Sequence, residues 1–270
     1  MIEGTKAGGC CARRVGWTAS ASALAASLLL FPPETLAQDE FWSLQIGAAR
    51  SDVSIGDSGV TWGTDGTQLT YQDPARGGFY FAFEVQRRDR LVDHVFIGAA
   101  YKRFGEWTLN GRAGFTADPE FYFRYMAEGA LSRRLVGGLV GTVAYRYLNF
   151  TSTEVRVVSP SATYYFARGE IGGQVNLVRN QELEVNSSSY SLTGIWYAGP
   201  RFRLSGGVAA GERIFDITSL VRQPAEGWLT FVDLRFGITL KDQVGVVIDF
   251  AHEEPFFDRR SLGLYYRRSF

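Results

Sequence analysis

The sequence predicts an all-β chain: a transmembrane, antiparallel up-and-down β-barrel of fourteen strands, with twelve as the fallback count. Three observations carry this. Residues 259–270 alternate in polarity and stop on Phe270, so a strand stands at the very end. Similar alternating stretches recur along the chain at strand-like spacing, separated by turns that are short and long by turns. The composition is 46% hydrophobic and 14% aromatic with 31 Gly, yet mean hydropathy is only −0.07. Lipid-facing and lumen-facing residues average in this way in a barrel, and no helical membrane protein has that balance.

Charge and cysteine narrow the function classes. Lys plus Arg equal Asp plus Glu at 28 each, which removes the basic footprint of a nucleic-acid binder. Both cysteines, Cys10 and Cys11, precede the predicted fold, so neither a disulfide framework nor a cysteine metal site is expected in it. Lys6, Arg13 and Arg14 stand before the apolar run 19–31, and Leu36-Ala37 closes a small-residue site. That order reads as a secretory signal peptide over residues 1–37, leaving 38–270 as the barrel. The Arg13-Arg14 pair also fits twin-arginine export, which carries folded cargo and suits a barrel poorly.

In chain order, Trp42, Leu44, Ile46 and Ala48 alternate with polar or small neighbours and form the first strand. Residues 51–67 are rich in Gly, Ser and Asp and predict a long loop grading into a weak second strand over 61–71. Phe79, Phe81, Phe83 and Val85 then share one face, with Glu84, Gln86 and Arg88 on the other. The fourth strand sets Val95, Ile97, Ala99 and Tyr101 against His94, Phe96 and Lys102. Strands are expected next over 109–115, 123–131, 139–147, 156–166, 171–178 and 190–198. The stretches 202–210, 228–240 and 244–250 and the terminal strand complete the set. Short turns at 104–106, 167–169, 199–200 and 241–243 would lie at the periplasmic end, and the long segments 181–188 and 212–227 outside. The connection at 89–93 is the exception, being short but external.

Parity supplies the candidate site. Arg112, Arg124, Arg146, Arg203, Arg235 and Arg267 fall on polar faces with Glu84, Glu128, Asp233 and Asp249, and these are the expected lumen-lining residues. Arg156 joins them by parity, while Arg88 and Lys102 share it at strand ends. An Arg or Lys on the lipid face at mid-membrane costs about 2–4 kcal/mol, which keeps charges to one side. Such a set reads either as a path for an anion or acidic glycan or as a paired network that plugs the barrel. Tyr266 and Phe270 would form the signal by which the last strand engages the barrel-assembly machinery.

Other chemistry is thin. His252, beside Glu253 and Glu254, is the single weak catalytic candidate, for a hydrolase at the barrel rim. No Gly-x-Ser-x-Gly motif accompanies it, so a solvated rim residue is the simpler reading. Asp52, Asp57, Asp118, Glu253, Glu254 and Asp258 fall in expected external loops without metal-ligand spacing, so no metal and no cofactor is assigned.

Tyr145-Arg146-Tyr147, Val155 and Tyr164-Tyr165, together with Ser261-Leu262-Gly263-Leu264, Arg268 and Phe270, make the whole mature chain resemble the YaiO-type outer-membrane β-barrel proteins. The resemblance implies a Gram-negative outer-membrane address and contact with outer-membrane lipid and lipopolysaccharide. Members look like surface barrels, some associated with exopolysaccharide genes, and some carry helical repeats that this chain lacks. The family has no settled activity. The reading is therefore a non-enzymatic surface or transport barrel that passes or engages a polar or anionic solute or saccharide. Its alternatives are an outer-membrane hydrolase with a rim site near His252 and a structural barrel that binds an envelope partner.

Overall fold

Alternation of apolar and polar residues gives each strand one face for lipid and one for the interior, and a closed sheet is the way to satisfy every strand edge in a membrane. The computed structural model describes residues 41–270 except 56–57, 74, 182–184, 214–224 and 255–256. The predicted leader lies outside the described residues.

Fourteen strands form one closed antiparallel barrel. They are β1 (Phe41–Ile55), β2 (Ser58–Asp73), β3 (Gly77–Arg88), β4 (Leu91–Phe104), β5 (Trp107–Ala117), β6 (Tyr125–Arg134) and β7 (Leu139–Asn149). The second half runs β8 (Glu154–Phe166), β9 (Gly169–Asn180), β10 (Val185–Gly199), β11 (Phe202–Arg213), β12 (Ala225–Gly237), β13 (Asp242–Glu253) and β14 (Phe257–Ser269). Each strand pairs with its sequence neighbours, and β14 closes on β1 with Leu44 opposite Arg268 and Ser54 opposite Asp258.

The first hairpin corrects the sequence reading. Residues 51–55 and 58–67 lie in strands and not in a loop: β1 and β2 run in unbroken register from Phe41 opposite Gln72 to Ile55 opposite Ser58. Gly, Ser and Asp are poor strand formers in isolation, but here β1 is held by β14 as well as β2 as far as Ser54, and β2 by β3 from Trp62 onward, which overrides propensity.

The outer surface is an apolar band. On β1, Trp42, Leu44, Ile46 and Ala48 point out, followed by Arg50 and Asp52, which mark its upper edge. At the lower edge Trp42 packs on Tyr71 and Phe79 at 5.1 and 5.6 Å between ring centroids. Turns at the end carrying Phe41 are all short, and the longest connections stand at the other end, which is the arrangement of periplasmic and external ends in bacterial outer-membrane barrels.

Two strands invert the expected faces. On β4, Val95 and Ile97 are buried inside while Phe96 and Lys102 are exposed; on β8, Val155 and Val157 are inside and Arg156 is outside. The physical cause is the connection between β5 and β6, which folds into the barrel. Phe121, Tyr122 and Phe123 retain only 3%, 5% and 5% of their exposure and pack with Tyr80, Val95, Ile97 and Met126. Beside them Val155, Val157 and Val178 form a second apolar group against Leu148 and Phe150. The interior is apolar there, so polarity no longer tells inside from outside.

Candidate functional site

Asp93 holds the inward segment. It is 0% exposed, and its carboxylate accepts hydrogen bonds from the backbone N–H groups of Glu120 (2.8 Å), Phe121 (3.1 Å) and Tyr122 (2.7 Å). Three donors that would otherwise be orphaned in the barrel are thereby satisfied. Asp118 starts the turn at φ 48°, a left-handed conformation that Asp tolerates better than most residues. The Arg88 guanidinium lies 4.4 Å from the ring centroids of both Trp62 and Phe121, clamping the segment to β2 and β3. The outer half of the lumen is thus filled along β3 to β8, and Asp93, which the sequence suggested was a turn residue, is its anchor.

The remaining wall is polar. Between β12 and β3 lies a cavity of 240 Å³ lined by Gln45, Thr64, Gln68, Glu84, Asp249 and Arg259 among others. Asp249 accepts from Arg259 Nη2 at 2.8 Å and from Ser261 Oγ at 3.0 Å, and Ser261 in turn bonds Ser51 across the closing seam at 2.7 Å. Glu84 accepts from Gln86 Nε2 at 2.8 Å, and Gln86 accepts from Thr64 at 2.7 Å. Arg146 forms an ion pair with Glu128 across β6 and β7. Arg112, also opposite Glu128 in register, is buried with its Nε unbonded.

Toward the end carrying the chain termini the balance changes. Arg203 and Arg235 stand directly opposite one another on β11 and β12. Asp233 Oδ1 accepts from the Tyr265 hydroxyl at 2.8 Å and its Oδ2 accepts from Ser205 Oγ at 3.1 Å. Arg235 Nε donates to the Tyr265 oxygen at 3.0 Å, and Arg267 Nε donates to Ser43 Oγ at 3.2 Å. Tyr265 reaches this position by lying across β13 over Gly245, where an added Cβ would overlap its ring.

Nine of the ten expected lumen residues therefore face inward, in two groups: a paired one around Glu128 and Arg146, and an arginine-rich one around Asp233. Arg124 does not join them. It precedes β6, is exposed, and its guanidinium lies 5.9 Å from the ring of Tyr125, because the chain leaves the strand there to fold inward. Arg156 is also outside, donating to Gln181 Oε1 at 3.2 Å. Charge does occur on the outer face: Asp65 and Arg87 form an ion pair there. Arg259 was missed, although it shares the parity of Arg267 along β14.

His252 points outward at the outer rim. Its Nδ1 lies 2.7 Å from Asp258 Oδ1, its Nε2 3.7 Å from Glu254 Oε1, and its ring 6.1 Å from that of Trp228. Among the described residues no hydroxyl bonds to it; Ser54, on the same face, lies beyond Asp258 on β1. Nor does any group of three His, Cys, Asp or Glu side chains converge on a metal position among the described residues; Asp57 lies outside them. At the lower rim the Tyr266 hydroxyl bonds Asp242, which also lies 3.7 Å from Arg268, so that outward arginine has a partner in the headgroup zone. Phe270 N donates to Trp42 O at 2.8 Å and extends the closing seam.

Solved structures of similar fold include outer-membrane proteins. Omp33 of Acinetobacter baumannii aligns over 86% of this chain and 100% of its own at 13% identity and TM-score 0.54. The CymD monoaromatic hydrocarbon channel aligns over 86% and 89% at 8% identity and TM-score 0.59. An outer-membrane channel from Pseudomonas putida F1 aligns over 89% and 100% at 12% identity and TM-score 0.50. At such identities the likeness establishes the fold. No curated protein matches the chain. The model of the YaiO membrane beta barrel domain matches residues 43–212, a narrower span than the whole mature chain. A closed fourteen-strand barrel with an apolar outer band, matched by that model over most of its strands, belongs to the YaiO membrane β-barrel family and resides in the outer membrane of a Gram-negative bacterium.

Proposed function

We propose that the protein is a non-enzymatic transport barrel that passes or engages a small polar solute, an anion or a saccharide, along a narrowed interior. The observation that carries this is the division of the lumen: one wall is packed shut by Phe121, Tyr122 and Phe123, while the other keeps a 240 Å³ cavity in which Gln45, Thr64, Gln68, Glu84, Asp249 and Arg259 stand among small and apolar residues. A purely structural plug would need no such cavity, since empty space among polar groups forfeits contacts without gain. One fold neighbour is a monoaromatic hydrocarbon channel. Here Glu84, Asp249 and Arg259 place charge in the cavity, which favours a polar group on the cargo, beside apolar neighbours such as Leu229 and Phe231.

Liposome swelling tests the reading. Vesicles containing the purified chain are expected to swell in iso-osmotic galactose or galacturonate faster than protein-free vesicles; swelling at the protein-free rate would contradict transport and favour a structural barrel that binds an envelope partner. The hydrolase reading is favoured only by the His252–Asp258 contact, and that pair faces outward without a nucleophile beside it among the described residues. We include in the proposal that residues 1–37 act as the export leader and that β14 with Tyr266 and Phe270 is what the assembly machinery engages. Lipopolysaccharide would surround the external rim.

A further inference from the structure

We infer that the inner mouth of the barrel carries an oxyanion site built from Arg203, Arg235 and Arg267, which takes the carboxylate or phosphate group of a small solute. This rests on the reading of the interior as solute-facing, and it adds where the solute is held and by which chemical group.

Arg203 and Arg235 are in line across the sheet, and Arg267 stands two residues along β14 from Tyr265, which continues that line. Arg203 is the second residue of β11, while Arg235 and Arg267 stand two residues before the ends of β12 and β14, all at the end where the chain begins. Arg203 and Arg235 are directly opposite one another, an arrangement in which like charges repel. Arg267 lies within electrostatic reach of both. Elsewhere in the lumen Arg146 pairs with Glu128 and Arg259 with Asp249. Among the described residues no carboxylate lies within ion-pairing distance of these three. Asp233 is the acid nearest in sequence and register, and its oxygens accept from Ser205 and Tyr265.

The donors left over match the proposed ligand. Arg235 is 8% exposed, and its one hydrogen bond runs from Nε to Tyr265. That of Arg267 runs from Nε to Ser43. Arg203 makes none, its Nε included, among the described residues. In all three the terminal Nη pair, the fork that grips a carboxylate or phosphate through two parallel bonds, has no acceptor among the described residues. A buried positive charge left in this state is costly unless an anion visits it. A second acid within electrostatic reach of Arg203 is Glu170 on β9. Three guanidinium groups against Asp233 and Glu170 leave at least one positive charge to be met by a ligand. The scaffold is also set in advance: Tyr265 lies over Gly245 and fixes Asp233 and Arg235 together, so the fork of Arg235 is held before any ligand arrives.

Calorimetric titration of the full chain in detergent micelles tests the site, with sodium glucuronate and sodium phosphate as probes and glucose as the neutral control. Saturable binding of glucuronate, phosphate or both is expected, with none for glucose; which anion binds tells a carboxylate site from a phosphate site. R203Q and R235Q should each weaken that binding by about tenfold or more, the loss of one charge-assisted bond, and R235K should recover part of it. Arg203 makes no hydrogen bond among the described residues, so R203Q carries the test if R235Q fails to show the heat-modifiable gel mobility of a folded barrel. No saturable heat from either anion, or unchanged affinity in R203Q, would overturn the site. Swelling and titration fail independently: binding without swelling removes transport and leaves the site, and swelling without anion binding removes the site alone.

Discussion

At the scale of single residues, the interior obeys one rule, that a buried charge is tolerable when it is paired and costly when it is not. Arg259 and Asp249 illustrate the paired case, with a 2.8 Å contact completed by Ser261. Replacing Arg259 by Gln leaves Asp249 without its cation beside the cavity, and the barrel is expected to lose about 3 kcal/mol of stability. Urea unfolding in micelles followed by tryptophan fluorescence would read this; an unchanged midpoint would mean that the pair is already solvated. Sequence parity identifies Asp249; Arg259 shares the face of Arg267 but stands eight residues earlier, at the outer end of β14. Parity also counts Arg156 among the lumen residues and gives Lys102 the same parity at a strand end, where the structure has both exposed. Both errors have one origin: parity argued from polarity assumes a wet interior, and β4 and β8 face the apolar packing of the inward segment instead. A motif for that segment was present in the run Phe121-Tyr122-Phe123, but an aromatic run next to a strand reads as more strand unless its burial partner is known.

Among the elements, the segment 118–124 and the closing strand do the most. Removing the carboxylate that gathers the segment, by Asp93→Ala, strands three backbone donors and should cost about 3 kcal/mol, while widening the outer lumen. Faster liposome swelling together with a lowered melting temperature is the expected result; a lower melting temperature with unchanged swelling would show that the segment does not narrow the path. For β14, deletion of Phe270 removes the Phe270 N to Trp42 O bond and an aromatic at the rim while sparing every interior side chain. Poor outer-membrane assembly in cells is expected of that truncation, and normal assembly would count against the assembly role. Most strands were legible in the sequence, since period-two alternation survives wherever lipid lies on one side. The β1–β2 hairpin was not, because Gly, Ser and Asp signal a loop locally and only the pairing with β14 and β3 makes them a strand.

For the whole molecule, the number of strands, their antiparallel closure and the outer-membrane address follow from patterns repeated along the chain, and such patterns survive local exceptions. The interior is different in kind: its apolar and polar walls are set by which strands come to face the inward segment, a fact of closure that no short stretch contains. The account holds that the barrel passes small polar solutes and that unpaired arginines at its inner mouth favour anions. The most direct check is the reversal potential across a planar bilayer holding the purified chain under a potassium chloride gradient. Discrete current steps whose reversal potential shifts toward that of chloride are the result predicted. The absence of steps, or a reversal potential shifted toward that of potassium, would contradict it.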